Sequence, residues 1–179
     1  MSPDQEPTAV ERGRELERLY DAHADALYAF GLSVTRDGAD TRDLLQDLFV
    51  KLARNPGLLE GVRDERGFLL RLLHNAAIDL FRRRRTRLSV TEPLEAEPPG
   101  IFAPAPDPDE EAFRAAVGGA MGDLPADQRA VVHLKLWEGL TFEAISALLE
   151  IPLNTAASRY RYVLDKLRSR LRPLYEELH

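Results

Sequence analysis

A run of prolines in the middle of the chain most limits how it can fold. Between positions 93 and 108 there are six prolines, at 93, 98, 99, 104, 106 and 108. Because proline lacks a backbone N–H and fixes φ, this stretch cannot be helical and is expected to be extended and flexible. The segments on either side show helical periodicity, and none reads as a strand. We therefore predict an all-α fold of two small helical domains, 8–87 and 108–179, joined by an acidic, Pro-rich linker at 88–107.

Charge is distributed unevenly among these parts. Residues 63–87 contain eight Arg against three acids, a balance of +5, and residues 151–172 contain six Lys/Arg against one acid, again +5. Residues 88–111 carry seven acids and no base, while the whole chain has a net charge of −6. Solubility charge spread over a surface would not segregate in this way. The pattern predicts a protein that binds a polyanion at two places.

Composition argues against several classes of protein. The chain has no cysteine, which excludes disulfides and thiolate chemistry, and no apolar run approaches the roughly 20 residues that span a bilayer. Its polar N-terminus excludes an ordinary signal peptide, so a cytoplasmic protein without membrane insertion is expected. The four histidines are scattered and no phosphate-binding Gly-rich loop is present. We therefore expect no enzymatic activity, no catalytic residues, no metal and no cofactor.

Three helices are predicted in the first domain. Asp40 and Asp64 are expected to cap the second and third helices, and Asn55-Pro56-Gly57 ends the second. Apolar residues at helical spacing form the predicted buried stripes. The stripes are Leu16, Leu19, Tyr20, His23, Leu27 and Phe30, then Leu44, Leu45, Leu48, Phe49 and Leu52, then Leu69, Leu72, Leu73, Ala76 and Leu80.

Two faces of this domain are predicted to lie outside its core. The third helix presents Phe68, Arg71, Asn75, Asp79, Arg82 and Arg83. Arginines at helical spacing match a phosphate ladder, and an aromatic ring or amide can engage unstacked bases. The second helix presents Asp43, Gln46, Asp47 and Val50, and an exposed valine among acids hints at a protein partner. The plainer alternative for both faces is an ordinary solvated surface.

The second domain contains a helix-turn-helix pattern. Helices are predicted at 108–121, 125–137, 142–149 and 155–171, with Gly139 and Pro173 as stops. A short helix, a tight turn and a longer basic helix are typical of a unit that reads duplex DNA. Its candidate contacts are Asn154, Thr155, Ser158, Arg159 and Arg161.

The order of these motifs resembles an extracytoplasmic-function sigma factor, a bacterial transcription initiation factor. The resemblance is carried by residues 19–49, by Phe68 to Arg84, and by 124–129, 138–141 and 151–168. It implies that the chain binds core RNA polymerase and directs promoter recognition and initiation. This sequence departs from the family pattern at several positions. Phe68 stands where tryptophan is usual, and Asn154 with Ala156-Ala157 stands where Gly-Thr-Val-Lys is common. Glu150 stands at a turn position that is often glycine in the family, where a positive φ would cost about 1 kcal/mol.

The resemblance also implies a division of roles. Asp43, Gln46, Asp47 and Val50 would dock on the clamp helices of the polymerase β′ subunit. The β flap is implied as a further contact on the polymerase. The third-helix face would bind and melt the minus-ten promoter element. The helix-turn-helix would read the minus-thirty-five element, and the acidic linker would thread toward the RNA exit path. An anti-sigma factor is compatible as a further partner.

Two other functions fit parts of the sequence. A repressor or response-regulator output domain would use the same helix-turn-helix, commonly as a dimer on a palindrome. The arginine run of the first domain and the lack of a ligand-pocket signature disfavour that alternative. A protein-interaction adaptor would not need two basic helices.

Overall fold

Six α-helices and one short 3-10 helix make up the part of the chain that the structure describes. The structure is a computed structural model and describes residues 9–88, 119 and 121–177. A first group contains α1 (Ala9–Thr35), α2 (Gly38–Arg54), a 3-10 helix (Pro56–Leu59) and α3 (Glu65–Leu88). A second group contains α4 (Ala126–Leu136), α5 (Phe142–Leu149) and α6 (Leu153–Glu177). No strand occurs within these residues, which confirms the all-α prediction. The acidic linker and nearly all of the helix predicted at 108–121 lie outside the described residues.

The cap of α2 differs from the prediction. Asp37, not Asp40, is the N-cap residue, and its Oδ1 accepts a hydrogen bond of 2.8 Å from the Asp40 N–H. Arg36, at φ 61°, turns the chain out of α1 and leaves Asp37 extended. The side chain of an extended residue just before a helix can reach the free N–H groups of the first turn. The side chain of a residue inside the helix cannot reach them. Asp40 instead forms an ion pair with Arg84 of α3 at 2.5 Å.

The other predicted ends of the first group are confirmed. Asn55 ends α2, and Pro56 opens the 3-10 helix. Asp64 Oδ1 accepts a hydrogen bond of 2.9 Å from the Gly67 N–H at the start of α3. These signals depend on residues close in sequence, which is why the sequence predicts them well.

The helix-turn-helix of the second group is formed by α5 and α6. Thr141 caps α5 by accepting a bond of 3.2 Å from the Ala144 N–H. Glu150 ends α5 in the left-handed region, at φ 55° and ψ 42°, as the turn requires. Helix α6 starts at Leu153 and continues past Pro173, so the predicted stop at Pro173 was wrong. Proline removes one backbone hydrogen bond, and the residues around it can still keep helical dihedrals.

One apolar core runs through both helical groups. Its buried members come from all six helices: Leu19, Leu27, Phe30, Val34, Leu44, Leu48, Leu52, Leu69, Leu70, Leu73, Ala77, Ala130, Val131, Leu134, Ile145, Leu148, Leu149 and Ala156. A smaller cluster of Leu124, Val132 and Val163 lies between α4 and α6. The second group therefore buries much of its apolar surface against the first.

This shared core changes which side of α3 is buried. Leu70, His74 and Ala77 are buried although they lie off the predicted stripe, because α3 contacts the second group as well as α1 and α2. Leu72, Ala76 and Leu80 from the predicted stripe are only partly buried. On α1, Tyr20 was wrongly predicted to be buried: it is 55% exposed and packs edge-on against Phe49 at 5.2 Å. None of the described helices is long and apolar enough to cross a membrane.

Candidate nucleic-acid and polymerase interfaces

The outward face of α2 is exposed as the sequence predicts. Asp43, Gln46 and Asp47 are exposed, and Val50 keeps 39% of its surface accessible. Leu44, Leu48 and Leu52 hold the helix in place from the opposite side. The result is an acidic surface with one apolar contact point on a rigidly packed helix. Such a surface can bind a partner with basic and apolar groups.

The basic face of α3 has two parts that differ in exposure. Asn75, Asp79, Arg82 and Arg83 are exposed, and Arg82 is within 3.4 Å of the Asp79 carboxylate. Phe68 and Arg71 are half-buried, and the Arg71 guanidinium stacks over the Phe68 ring at 5.3 Å from its centroid. A base can stack on an aromatic ring or on a guanidinium plane, so Phe68 and Arg71 together offer two planar groups to an unpaired base.

The recognition residues of the helix-turn-helix differ in how free they are. Asn154, Ser158 and Arg161 are exposed, and Thr155 is half-buried. The Ser158 hydroxyl donates to the Thr155 carbonyl at 3.1 Å. Arg159 forms an ion pair with Asp127 of α4 at 2.6 Å. Arg159 therefore has to leave Asp127 before it can contact DNA.

A buried arginine links the two helical groups, and no local sequence pattern identified it. Arg129 of α4 donates to the carbonyl oxygens of Ser33 at 2.8 Å and Val34 at 2.5 Å, both in α1, and also to that of Leu124. Burial, and secondarily the nearby Arg36 charge, lower its pKa to about 10. The guanidinium satisfies carbonyl groups at the C-terminal end of α1, where a helix leaves acceptors unpaired.

Two histidines lie in the same region. His133 packs edge-on against Phe30 at 5.4 Å and stacks on Trp137 at 5.3 Å. Burial lowers the pKa of His133 to about 4 and also lowers the pKa of His74. Both side chains are therefore neutral at pH 7. His74 and His133 are both buried, and neither ring nitrogen of His74 has a hydrogen-bond partner among the described residues.

The structure brings part of the candidate minus-ten face against the helix-turn-helix. Phe68 and Arg71 line an open cleft together with Ala144, Ala147 and Leu148 of α5. The exposed residues Asn75 to Arg83 and the face of α2 are outside this cleft.

Comparison with known proteins identifies both helical groups. Residues 19–87 match the family model of sigma-70 region 2, and residues 120–169 match that of sigma-70 region 4. Two helical groups that match these regions in this order define a sigma-70-type initiation factor.

Relatives that match over most of their length identify the family of this chain more narrowly. It is 31% identical to the RNA polymerase sigma factor CarQ of Myxococcus xanthus, over 90% of this chain and 92% of that protein. It is 27% identical to the ECF RNA polymerase sigma factor SigX of Bacillus subtilis, over 89% of this chain and 85% of that protein. The chain belongs to the extracytoplasmic-function family of RNA polymerase sigma factors. Members of this family bind core RNA polymerase and promoter DNA and direct transcription initiation, and this chain does the same.

A solved structure agrees on the fold. The sigma factor RpoE from Bartonella quintana, in a co-crystal structure with the anti-sigma factor NepR, superposes with a TM-score of 0.62. The match covers 89% of this chain and 96% of that chain at 21% identity.

Proposed function

We propose that the exposed face of α2 binds the clamp helices of the polymerase β′ subunit. The observation that carries this proposal is that two surfaces of opposite charge, on α2 and on α3, lie next to each other on one packed core. The face of α2, formed by Asp43, Gln46, Asp47 and Val50, is acidic, while the neighbouring α3 carries the arginines. An acidic surface is repelled by DNA and favours a basic protein partner, so the two faces suit different ligands.

The minus-ten element is assigned to α3. Phe68 stacks on an unpaired base, and Arg71 and Asn75 flank that site. Arg82 and Arg83 neutralise phosphates further along the helix, with Asp79 orienting Arg82. Flipping a base costs a few kcal/mol, which stacking and phosphate contacts offset.

The minus-thirty-five element is assigned to α6. Asn154, Thr155 and Ser158 lie in its first turns, where backbone N–H groups and the helix dipole favour phosphate contacts. Arg161 is exposed, and we assign it a direct contact with the duplex. Arg159 contributes after it leaves Asp127.

The remaining assignments concern the whole chain. The domains are 8–87 and 108–179, with an acidic linker at 88–107, and the β flap is a further contact on the polymerase. The protein acts in the cytoplasm as a regulatory initiation factor and not as an enzyme. An anti-sigma factor is a further partner by analogy with the RpoE–NepR complex.

Reconstitution tests the proposed function. The purified chain is mixed with core RNA polymerase and a library of promoter fragments, and transcripts are sequenced. We expect a stable complex with the polymerase and transcripts that start downstream of a shared pair of elements. A chain that forms no such complex but dimerises on duplex DNA would be a repressor instead.

The docking face is tested by Asp43→Ala combined with Asp47→Ala. We expect affinity for core polymerase to fall by about tenfold, because two charges that face a basic partner are lost. The matched control is Asp21→Ala with Asp25→Ala, which removes two exposed acids from α1 instead. Affinity is measured by titrating labelled protein with polymerase, and circular dichroism checks folding. Equal affinity in both double variants would remove the docking assignment.

A further inference from the structure

The arginine run at the end of α3 lies beyond the packed part of that helix. Ala77 is buried, and Leu80 and Phe81 are partly buried against the core. The next residues, 82–86, are all exposed. Because tertiary packing supplies most of the stability of a helix, an exposed helix end frays more easily than a packed one. The arginines assigned to promoter phosphates therefore need a further restraint to keep fixed positions.

One arginine of this run lies on a different side of α3 from its neighbours. Arg84 follows Ala77 by seven residues, which is two turns, so it continues the buried side of the helix beyond the core. Arg82 follows Asn75 by the same spacing and continues the exposed face instead. Successive residues point about 100° apart around a helix, so the direction of Arg84 also sets the directions of Arg82 and Arg83.

Arg84 forms a two-bond contact with Asp40 of α2. Its two terminal guanidinium nitrogens donate to the two carboxylate oxygens of Asp40, each at 2.5 Å. The Asp40 side chain keeps only 12% of its surface accessible, and a carboxylate this buried needs a partner. A bidentate pair fixes orientation as well as distance. Since Asp40 lies in the first turn of α2, the contact ties the end of α3 to the start of α2.

The neighbouring arginines bond within α3. Arg82 Nη1 donates to an Asp79 carboxylate oxygen at 3.4 Å, and Arg83 Nε donates to the Asp79 carbonyl at 3.4 Å. These long bonds span one turn of the same helix, so they do not hold the helix end against the rest of the first group. We infer that the placement of Arg82 and Arg83 depends on Arg84.

We propose that Asp40 and Arg84 are positioning residues for promoter melting. Their contact keeps the last turns of α3 helical and fixes their rotation, so that Arg82 and Arg83 face DNA phosphates while Phe68 holds an unpaired base. The proposal rests on the assignment of α3 to the minus-ten element. Without the contact, DNA has to order these turns as it binds, and that loss of conformational entropy weakens binding.

A direct role for Arg84 on DNA gives the opposite expectation. If Arg84 left Asp40 to bind a phosphate, Asp40 would be a competitor, and removing its charge would strengthen DNA binding. The overall field of the protein acts in the same direction, because one acid fewer favours a polyanion. A positioning role predicts weaker promoter melting from the same change. The sign of the effect therefore distinguishes the two roles.

The variant Asp40→Asn tests this sign. The variant is assembled with core RNA polymerase on a promoter found by reconstitution, and strand opening is followed by the permanganate reactivity of unpaired thymines. We expect the rate of opening to fall about tenfold, because the end of α3 is no longer pre-ordered. Circular dichroism checks that the variant is folded. Opening at the wild-type rate, or faster, would overturn the proposal.

The matched control is Glu65→Gln. Glu65 pairs with Arg18 of α1 at 2.6 Å, so this variant also removes the acid from an ion pair that ties α3 to a neighbouring helix. That pair lies at the other end of α3, far from the arginine run. We expect Glu65→Gln to open the promoter at the wild-type rate. An equal loss in both variants would assign the effect to general destabilisation and overturn the positioning role.

The variant Arg84→Lys tests the same contact from its more exposed side. Lysine keeps the charge but cannot form the bidentate contact with Asp40. We expect opening to slow, by a smaller factor than in Asp40→Asn. A lysine binds a phosphate as a point charge, so a direct DNA contact would survive this change. Opening at the wild-type rate in Arg84→Lys would therefore overturn the proposal.

A promoter with mismatched, already unpaired strands at the minus-ten element locates the defect. Because this template does not have to be melted, we expect Asp40→Asn to regain most of its transcription there. Equal loss on the duplex and on the mismatched template would place the defect outside melting and overturn the proposal.

Failure of the positioning role differs from failure of the proposed function. If the wild type with polymerase does not open the promoter, the assignment of α3 to the minus-ten element fails, and the positioning role falls with it. If the wild type opens the promoter and Asp40→Asn opens it equally well, only the positioning role fails.

Discussion

At the scale of single residues, the turn between α5 and α6 contains a replaceable source of strain. Glu150 adopts φ 55°, a region that residues with a Cβ adopt at a cost. We expect Glu150→Gly to raise the free energy of unfolding by about 1 kcal/mol, measured by urea denaturation. Glu150→Ala is the control, because it removes the same charge but keeps the Cβ. A gain of similar size in both variants would assign the effect to charge and not to backbone strain.

A second residue, His133, makes stability depend on pH. Its folded-state pKa of about 4 lies below the ordinary value of 6.5, so the unfolded chain binds its proton more readily. The stability that neutral His133 contributes is complete above pH 6.5 and is lost as the pH falls toward 4, by up to about 1.4 kcal/mol per unit. Glu138 and Arg66 are the charged groups that act on it, and His74 adds a change of the same sign.

The variant His133→Gln isolates this effect. We expect its unfolding free energy to fall less steeply than that of the wild type between pH 6.5 and 4, since it has no proton to bind. The measurement is urea denaturation at a series of pH values. Equal slopes in the two proteins would mean that His133 is not the group responsible.

At the scale of elements, two arginines of α6, Arg159 and Arg161, differ in exposure and pairing. Arg161 is exposed, whereas Arg159 is held by Asp127 at 2.6 Å. We expect Arg161→Ala to weaken promoter binding and to lower its salt slope by up to about 1. Asp127→Ala should instead strengthen binding by releasing Arg159. Binding isotherms of the polymerase complex at several salt concentrations measure both, and an unchanged slope in Arg161→Ala would exclude a phosphate contact.

The helices themselves illustrate how far local signals reach. Asn55, Asp64 and the limits of α5 were predicted correctly, because caps and stops depend on neighbours within one turn. The cap of α2 and the stop at Pro173 were not. For α2, both Asp37 and Asp40 are possible caps. At Pro173, the proline favours a stop while the residues around it stay helical. The sequence does not give the backbone dihedrals that decide between the two possibilities.

At the scale of the whole molecule, the shared core couples the two helical groups. Among the described residues, the second group has only a small separate cluster around Val132 and Val163 and completes its core against α1 and α3. We expect urea unfolding of the wild type to be a single transition, measured by far-UV circular dichroism and by Trp137 fluorescence. Arg66 of α3 pairs with Glu138 of the second group at 2.6 Å, whereas Arg18 pairs with Glu65 inside the first group. The variant Arg66→Glu should therefore separate these two signals, while Arg18→Glu should not. Two transitions in the wild type would mean that the groups fold independently.

The sequence by itself determined the helical class, the positions of most helices, the division of charge and the exposed face of α2. It also determined the exposure of part of the predicted faces of α3 and α6: Asn75, Asp79, Arg82, Arg83, Asn154, Ser158 and Arg161. These follow from periodicity and from residues close along the chain. Only the tertiary structure decided that Leu70, His74 and Ala77 of α3 are buried, that Asp127 holds Arg159, and that Arg129 binds the end of α1. Each of these depends on contacts between residues far apart in sequence. Apolar residues on two sides of a helix indicate that it can pack against two partners. The helix's own sequence does not say which partner covers the second side.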